Sequence, residues 1–202
     1  MKEFLFQNSA TSELVLASGS PRRSAILGEM GIDFSVVASG VDEASVVSEP
    51  ASLVVQLSEL KAADVARQYP ERWILGGDTV VVVQGEVLGK PADLQHARLM
   101  LEQLSGRTHS VIGGVTLMNA SKGVCESFLS ESQVTFMKLP EACIDRYVAS
   151  KEGLDKAGAY AIQGDGQFFV ERIVGSYTNI VGLDAQKTAL LLLRQGVIEW
   201  RK

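Results

Sequence analysis

The sequence predicts an α/β fold built on a mixed, twisted β-sheet with flanking helices. Three observations lead there. Short apolar strand runs alternate with segments of helical period. The middle of the chain is a long hairpin rather than another crossover, so the sheet is mixed and not purely parallel. A chain of 202 residues with 46% hydrophobic content can bury a core without disulfide or metal staples.

The elements follow in order. Leu14 to Ala17 is a short apolar run, read as a buried strand. Ser18-Gly19-Ser20-Pro21 breaks it, with Ser20 suited to the N-cap and Pro21 to the first helical position. That helix runs to about Met30 and stops at Gly31. Phe34 to Ala38 returns as a strand, and Ser39 to Pro50 is an acidic loop holding Asp42, Glu43 and Glu49. A second helix, from near Pro50 to about Tyr69, keeps its period through Leu53, Val54, Leu57, Leu60 and Ala63. Trp73 to Gly77 and Val80 to Val83 read as strand runs interrupted by Gly77-Asp78-Thr79. Gln84-Gly85 turns into Glu86 to Gly89, and Asp93 caps a helix from Leu94 to Leu104 that Gly106 closes. Thr108 to Met118 and Val124 to Met137 form the hairpin across Asn119 to Gly123. Pro140 opens a helix to about Ser150, a glycine-punctuated stretch covers Gly153 to Gly166, Phe168 to Val174 is a strand, and a last helix covers Ala185 to Gln195. Residues 1–13 read as an N-terminal extension and residues 14–202 as one domain.

Composition excludes several classes. The net charge of −5 repels nucleic acid and anionic membranes in general, so an anion site must be a local concentration of cations. The two cysteines, Cys125 and Cys143, form no C-x-x-C pair and read as small apolar residues of a reducing cytosol. Neither His96 nor His109 has an obvious serine or cysteine partner, and no G-x-S-x-G occurs, so nucleophilic catalysis is set aside. No apolar run reaches membrane-spanning length, and the N-terminus lacks a secretory h-region, so a cytoplasmic protein is expected.

Two places concentrate chemistry. Ser18-Gly19-Ser20-Pro21-Arg22-Arg23 lies between a strand end and a helix start, where free N–H groups and the helix dipole favour an anion. Arg22 and Arg23 in the first turn are unfavourable toward the dipole, and a phosphate would reverse that sign; the other reading is that both point to solvent or pair with acids elsewhere. The second place is Gly76-Gly77-Asp78-Thr79. A carboxylate between apolar strand runs is costly without partners, and two glycines before it admit a ligand or another backbone. Asp78 could hold a divalent cation, activate water, or both; the plainer reading is a turn-capping aspartate. Taken alone, Asp42-Glu43, Lys61 and Lys90 read as solvated surface charges, and Asp155 to Gly164 reads as a ligand-facing wall or an irregular connection.

Together these pieces resemble the Maf family of nucleoside triphosphate pyrophosphatases. Leu16-Ala17-Ser18-Gly19-Ser20-Pro21-Arg22-Arg23 resembles the family's opening signature. Val41-Asp42-Glu43, Lys61-Ala62, Gly77-Asp78-Thr79, Gly89-Lys90-Pro91, Leu104-Ser105-Gly106, the Asp155–Gly164 stretch and Gly175 through Leu183 follow in the family order. The resemblance covers about Leu14 to Arg194. It implies two lobes around a cleft, as in inosine triphosphatases, and cleavage between the α and β phosphates to a monophosphate and pyrophosphate. A divalent cation, Mg2+ or Mn2+, is implied, with Asp78 as proton acceptor; Glu43 and Asp78 are then expected to hold that metal, directly or through water. Ser18, Ser20, Arg22, Arg23, Lys61 and Lys90 would grip phosphates, and Thr79 and Gln163 would read the base. Arg22, Thr79 and Gln163 are similar to the branch acting on dTTP, UTP and modified pyrimidine triphosphates; the 7-methyl-GTP branch has Trp and Gln at the first two positions. A small-molecule nucleotide is the expected partner, with a homodimer suggested by the family and no nucleic acid polymer or membrane. The alternatives are a nucleotide-binding regulator of septum formation and a purine (7-methyl-GTP or ITP-type) pyrophosphatase. Asp184 stands where the family often has proline, and Gln56 and Glu59 replace a basic pair.

Overall fold

A computed structural model describes residues 4–10, 12–43, 46 and 48–201. Parts of the acidic loop (residues 44, 45 and 47) and of the N-terminal extension (residues 1–3 and 11) lie outside the described residues. In chain order the strands are β1 (Phe6–Asn8), β2 (Leu14–Leu16), β3 (Ser35–Val36), β4 (Trp73–Val83), β5 (Glu86–Leu88), β6 (Thr108–Asn119), β7 (Val124–Phe136), β8 (Val170–Val174) and β9 (Ile198–Trp200). The helices are α1 (Pro21–Glu29), α2 (Pro50–Ala66), α3 (Leu94–Leu104), α4 (Glu141–Ser150), α5 (Tyr177–Val181) and α6 (Ala185–Arg194).

The main sheet has the order β3-β2-β4-β6-β7-β8, with β5 paired to β4. β2 is parallel to both β3 and β4, whereas β5 on β4 and β8 on β7 are antiparallel. The sheet is therefore mixed, as expected. The chain forms two compact units, residues 1–78, 113–130 and 182–202 in the first and residues 79–112 and 131–181 in the second. Among the described residues no helix is long and apolar enough to cross a membrane.

In the first unit, α2 lies on the parallel strands. Ala62, Val65 and Ala66 pack with Val15, Ala17 and Ile74 in a buried cluster. Two glycines set how close α2 comes. A Cβ on Gly76 would stand 2.2 Å from the Ser58 carbonyl, and one on Gly114 would stand 2.3 Å from that of Val54. Only a strand without a side chain at those points admits the helix backbone. Asp184 caps α6, accepting the Lys187 N–H at 3.1 Å, and also accepts the Ser130 hydroxyl at 2.6 Å. Glu59 accepts the Ser127 hydroxyl at 2.8 Å, and the Gln56 amide donates to Ser48 at 3.3 Å. A separate ribbon of β1 and β9 joins the chain ends, with Phe6 and Trp200 rings 4.9 Å apart.

The second unit is centred on aromatic rings. Phe136 meets His109, Tyr160 and Phe169 edge-on, and Tyr147 packs on Phe169. Arg98 ties α3 to α4 by bonding Glu102 on its own helix and Glu141 and Asp145 on the other. Asp93 caps α3 by accepting the His96 N–H at 2.7 Å.

Three expectations are corrected. β4 is one continuous strand of 11 residues, so Gly77-Asp78-Thr79 does not interrupt it. Two residues, not five, pair as β3. Cys125 is exposed rather than packed as a small apolar residue; both cysteines are free thiols.

Candidate active site

The site grows from the pairing of β2 and β4. Their parallel register, Leu16 opposite Leu75, leads β2 out at Ala17 and Ser18 while β4 continues through Gly76 and Gly77 to Asp78. Residues two apart on a strand share a face. Gly76 faces α2, so Asp78 faces it too. Lys61 lies one turn beyond Ser58, the residue whose carbonyl rests on Gly76. Its ammonium therefore reaches the carboxylate, with Nζ 2.7 Å from Asp78 Oδ1. The same Nζ lies 2.7 Å from Glu43 Oε1. Asp78 is only 7% exposed, whereas the Glu43 side chain is 56% exposed. A buried carboxylate needs a partner, and Lys61, itself buried, is that partner.

Ser20 is the N-cap residue of α1 and Pro21 its first helical residue, as the sequence predicts, although no side-chain cap bond forms. The Ser20 N–H instead donates to Ser18 Oγ at 3.3 Å. Arg23 turns back from α1. Its Nη1 donates to Ser18 Oγ at 3.0 Å and its Nε to the Gly182 carbonyl at 2.9 Å. A Cβ on Gly77 would stand 3.3 Å from Arg23 Nε, so Gly77 is the floor beneath the guanidinium. Burial lowers the Arg23 pKa from its ordinary value; Asp78 opposes that shift, Arg22 adds to it, and Glu43 opposes it. Asp78, Arg22 and Glu43 thus all act electrostatically on Arg23.

The structure brings together Ser18, Ser20 and Arg23 in one hydrogen-bonded group and Lys61, Glu43 and Asp78 in another, with Arg22 beside Arg23. Thr79 and the exposed residues Lys90 and Gln163 belong to the second unit. There, the Gly158 N–H donates to the Gly89 carbonyl at 3.1 Å, linking the Lys90 turn to the glycine-punctuated stretch. Gly158 has a φ of 71°, and a Cβ on it would stand 3.1 Å from Val81. Gly182, within the Gly175–Leu183 stretch, anchors Arg23 through its carbonyl, a role that its sequence gives no sign of. The two glycines before Asp78 admit the α2 backbone and the Arg23 side chain.

His96 Nδ1 accepts the Ala92 N–H at 3.2 Å, and His109 Nε2 lies 2.9 Å from the Tyr160 hydroxyl. Burial pushes His109 down to about 4 and pushes Tyr160 up. Among the described residues, no group of three or more His, Cys, Asp or Glu side chains converges as a metal site would.

The fold is that of a HAM1 protein from Coxiella burnetii, matched at a TM-score of 0.51 and 18% identity over 91% of this chain and 99% of that one. The chain belongs to the Maf family: the model of the Maf-like protein family matches residues 13–195. It is 45% identical to the dTTP/UTP pyrophosphatase of Syntrophus aciditrophicus, covering 92% of this chain and 91% of that protein. It is 46% identical to the dTTP/UTP pyrophosphatase of Bacillus cytotoxicus, covering 85% and 89%.

Proposed function

We propose that this protein hydrolyses dTTP and UTP between the α and β phosphates, giving the nucleoside monophosphate and pyrophosphate. The observation that carries the reading is its 45% identity, over 92% of the chain, to a relative named for that activity. The similarity of Arg22, Thr79 and Gln163 to the family's pyrimidine branch supports the same reading.

Asp78 is the proposed proton acceptor for the attacking water. Its bond from Lys61 fixes the orientation of the carboxylate. Ser18, Ser20, Arg22 and Arg23, at the N-terminus of α1, are the proposed phosphate grip. Lys61 and Lys90 add positive charge, and Thr79 and Gln163 are proposed to read the base. The glutamine amide offers a donor and an acceptor, which suits the imide edge of thymine or uracil.

The donor set suits a magnesium or manganese ion. Magnesium is usually held by one or two carboxylates together with substrate phosphates rather than by a complete protein cage. Glu43 and Asp78 supply such a pair, and both already hold one cation, the Lys61 ammonium. The ion supplies charge neutralisation at the phosphoryl oxygens.

Pyrophosphate release from dTTP, UTP, dCTP, GTP, ITP and 7-methyl-GTP tests the reading. Release chiefly from dTTP and UTP is expected. Release chiefly from a purine would overturn the base assignment, and none from any of them would overturn the activity.

A further inference from the structure

The contacts of Lys61 bear on when a metal enters. Its Nζ lies 2.7 Å from one oxygen of each carboxylate that the proposed function gives to the metal. The position is fixed by packing. Gly76 lets α2 rest on β4, Ala62 beside Lys61 is fully buried, and Lys61 itself is 6% exposed. A long flexible side chain is thereby held in one place rather than sampling solvent.

The local charge balance points the same way. Arg23 feels both Asp78 and Glu43, and Arg22 acts on Arg23. Lys61 is the cation in direct contact with both carboxylates. A free divalent cation approaching the two carboxylates must displace a buried ammonium that already holds both. A triphosphate changes both terms, because it brings negative charge and oxygen ligands of its own.

We infer that the free protein keeps no resident divalent cation. Lys61 is the internal counter-ion of the Glu43–Asp78 pair, and the metal enters only with the nucleotide. This rests on the proposed nucleotide pyrophosphatase reading. Metal and nucleotide binding are therefore strongly and reciprocally coupled, and Lys61 is the residue that couples them.

The test is Mn2+ retention by the full chain in equilibrium dialysis, with Mn2+ alone and with the non-hydrolysable α,β-methylene analogue of dTTP. Wild type is expected to retain Mn2+ only when the analogue is present. Lys61→Met is expected to retain Mn2+ alone at least about tenfold more tightly than wild type, because the carboxylate pair has lost its cation. Circular dichroism checks that the variant folds, and the wild-type comparison decides the matter if it does not. Wild-type protein that binds Mn2+ alone, in a manner abolished by Asp78→Asn, would overturn the inference. So would a failure to retain Mn2+ with the analogue, or a Lys61→Met variant that folds and gains nothing. Pyrophosphate release from dTTP is measured on the same preparation. An active enzyme with resident Mn2+ sinks the inference alone, and a preparation inactive on every nucleotide sinks the functional reading.

Discussion

The Lys61 ammonium and the Asp78 carboxylate form a buried ion pair 2.7 Å long, with side chains only 8% and 9% exposed. They are 17 residues apart in sequence and come from different elements, α2 and β4. Glu43 completes the group from the loop ahead of α2.

Removing the lysine leaves a buried carboxylate without its partner, which costs about 3 kcal/mol or more. Lys61→Met is expected to lower the urea midpoint accordingly. Asp78→Asn keeps an acceptor for Lys61 and should cost less. The double variant should be more stable than the sum of the single losses predicts, by about 1 kcal/mol or more. Additive losses would show that the pair is not coupled.

Gly76→Ala places a methyl group 2.2 Å from the Ser58 carbonyl. Helix and strand must then separate, at about 1–3 kcal/mol. Because Lys61 rides on that helix, pyrophosphate release should fall along with stability. Gly85→Ala has open space around it but sits at a φ of 84°, so it serves as a control for backbone strain away from the α2 contact. Full activity in Gly76→Ala would contradict the role given to the close approach.

His109 gives stability an acid limb. It is 2% exposed, its buried Nδ1 has no hydrogen-bond partner among the described residues, and burial holds its pKa at about 4 against an ordinary 6.5. Between those values the unfolded chain binds a proton that the native protein refuses. Stability is therefore intact above pH 6.5 and falls as pH drops toward 4, by about 3 kcal/mol at the limit. Urea unfolding of wild type and His109→Gln at pH 7.5, 5.5 and 4.5 checks this. The wild-type curve should fall more steeply; parallel curves would contradict it.

Asp184→Ala removes an N-cap and strands the Ser130 hydroxyl, both within 3.1 Å of the carboxylate. The expected loss is about 1–3 kcal/mol. A thermal melt unchanged from wild type would show that α6 needs no cap there.

Local chemistry made much of the fold legible. Ser20-Pro21 and Asp93 marked helix starts, and Gln84-Gly85, with φ values of 52° and 84°, marked the turn into β5. What escaped depends on distant partners. Gly77-Asp78-Thr79 looks like a break until α2, resting on Gly76, and Arg23, lying over Gly77, fill the space that the glycines leave. β1 and β9 are three residues each and exist only because the chain ends pair, as in the Gln7 to Glu199 hydrogen bond. α5 is a five-residue turn between Gly175 and Gly182, too short to show a period. In the site, Asp78 and Arg23 were legible from their motifs, but the bond between Lys61 and both carboxylates was not. Sequence spacing gives no sign that α2 crosses β4 at Gly76.

The most direct test of the account is pyrophosphate release from dTTP and UTP with magnesium, comparing wild type with Asp78→Asn. The account predicts turnover in the wild type and a loss of about 10²–10⁴-fold in the variant, whose circular dichroism is unchanged. Near-wild-type turnover by folded Asp78→Asn would contradict it.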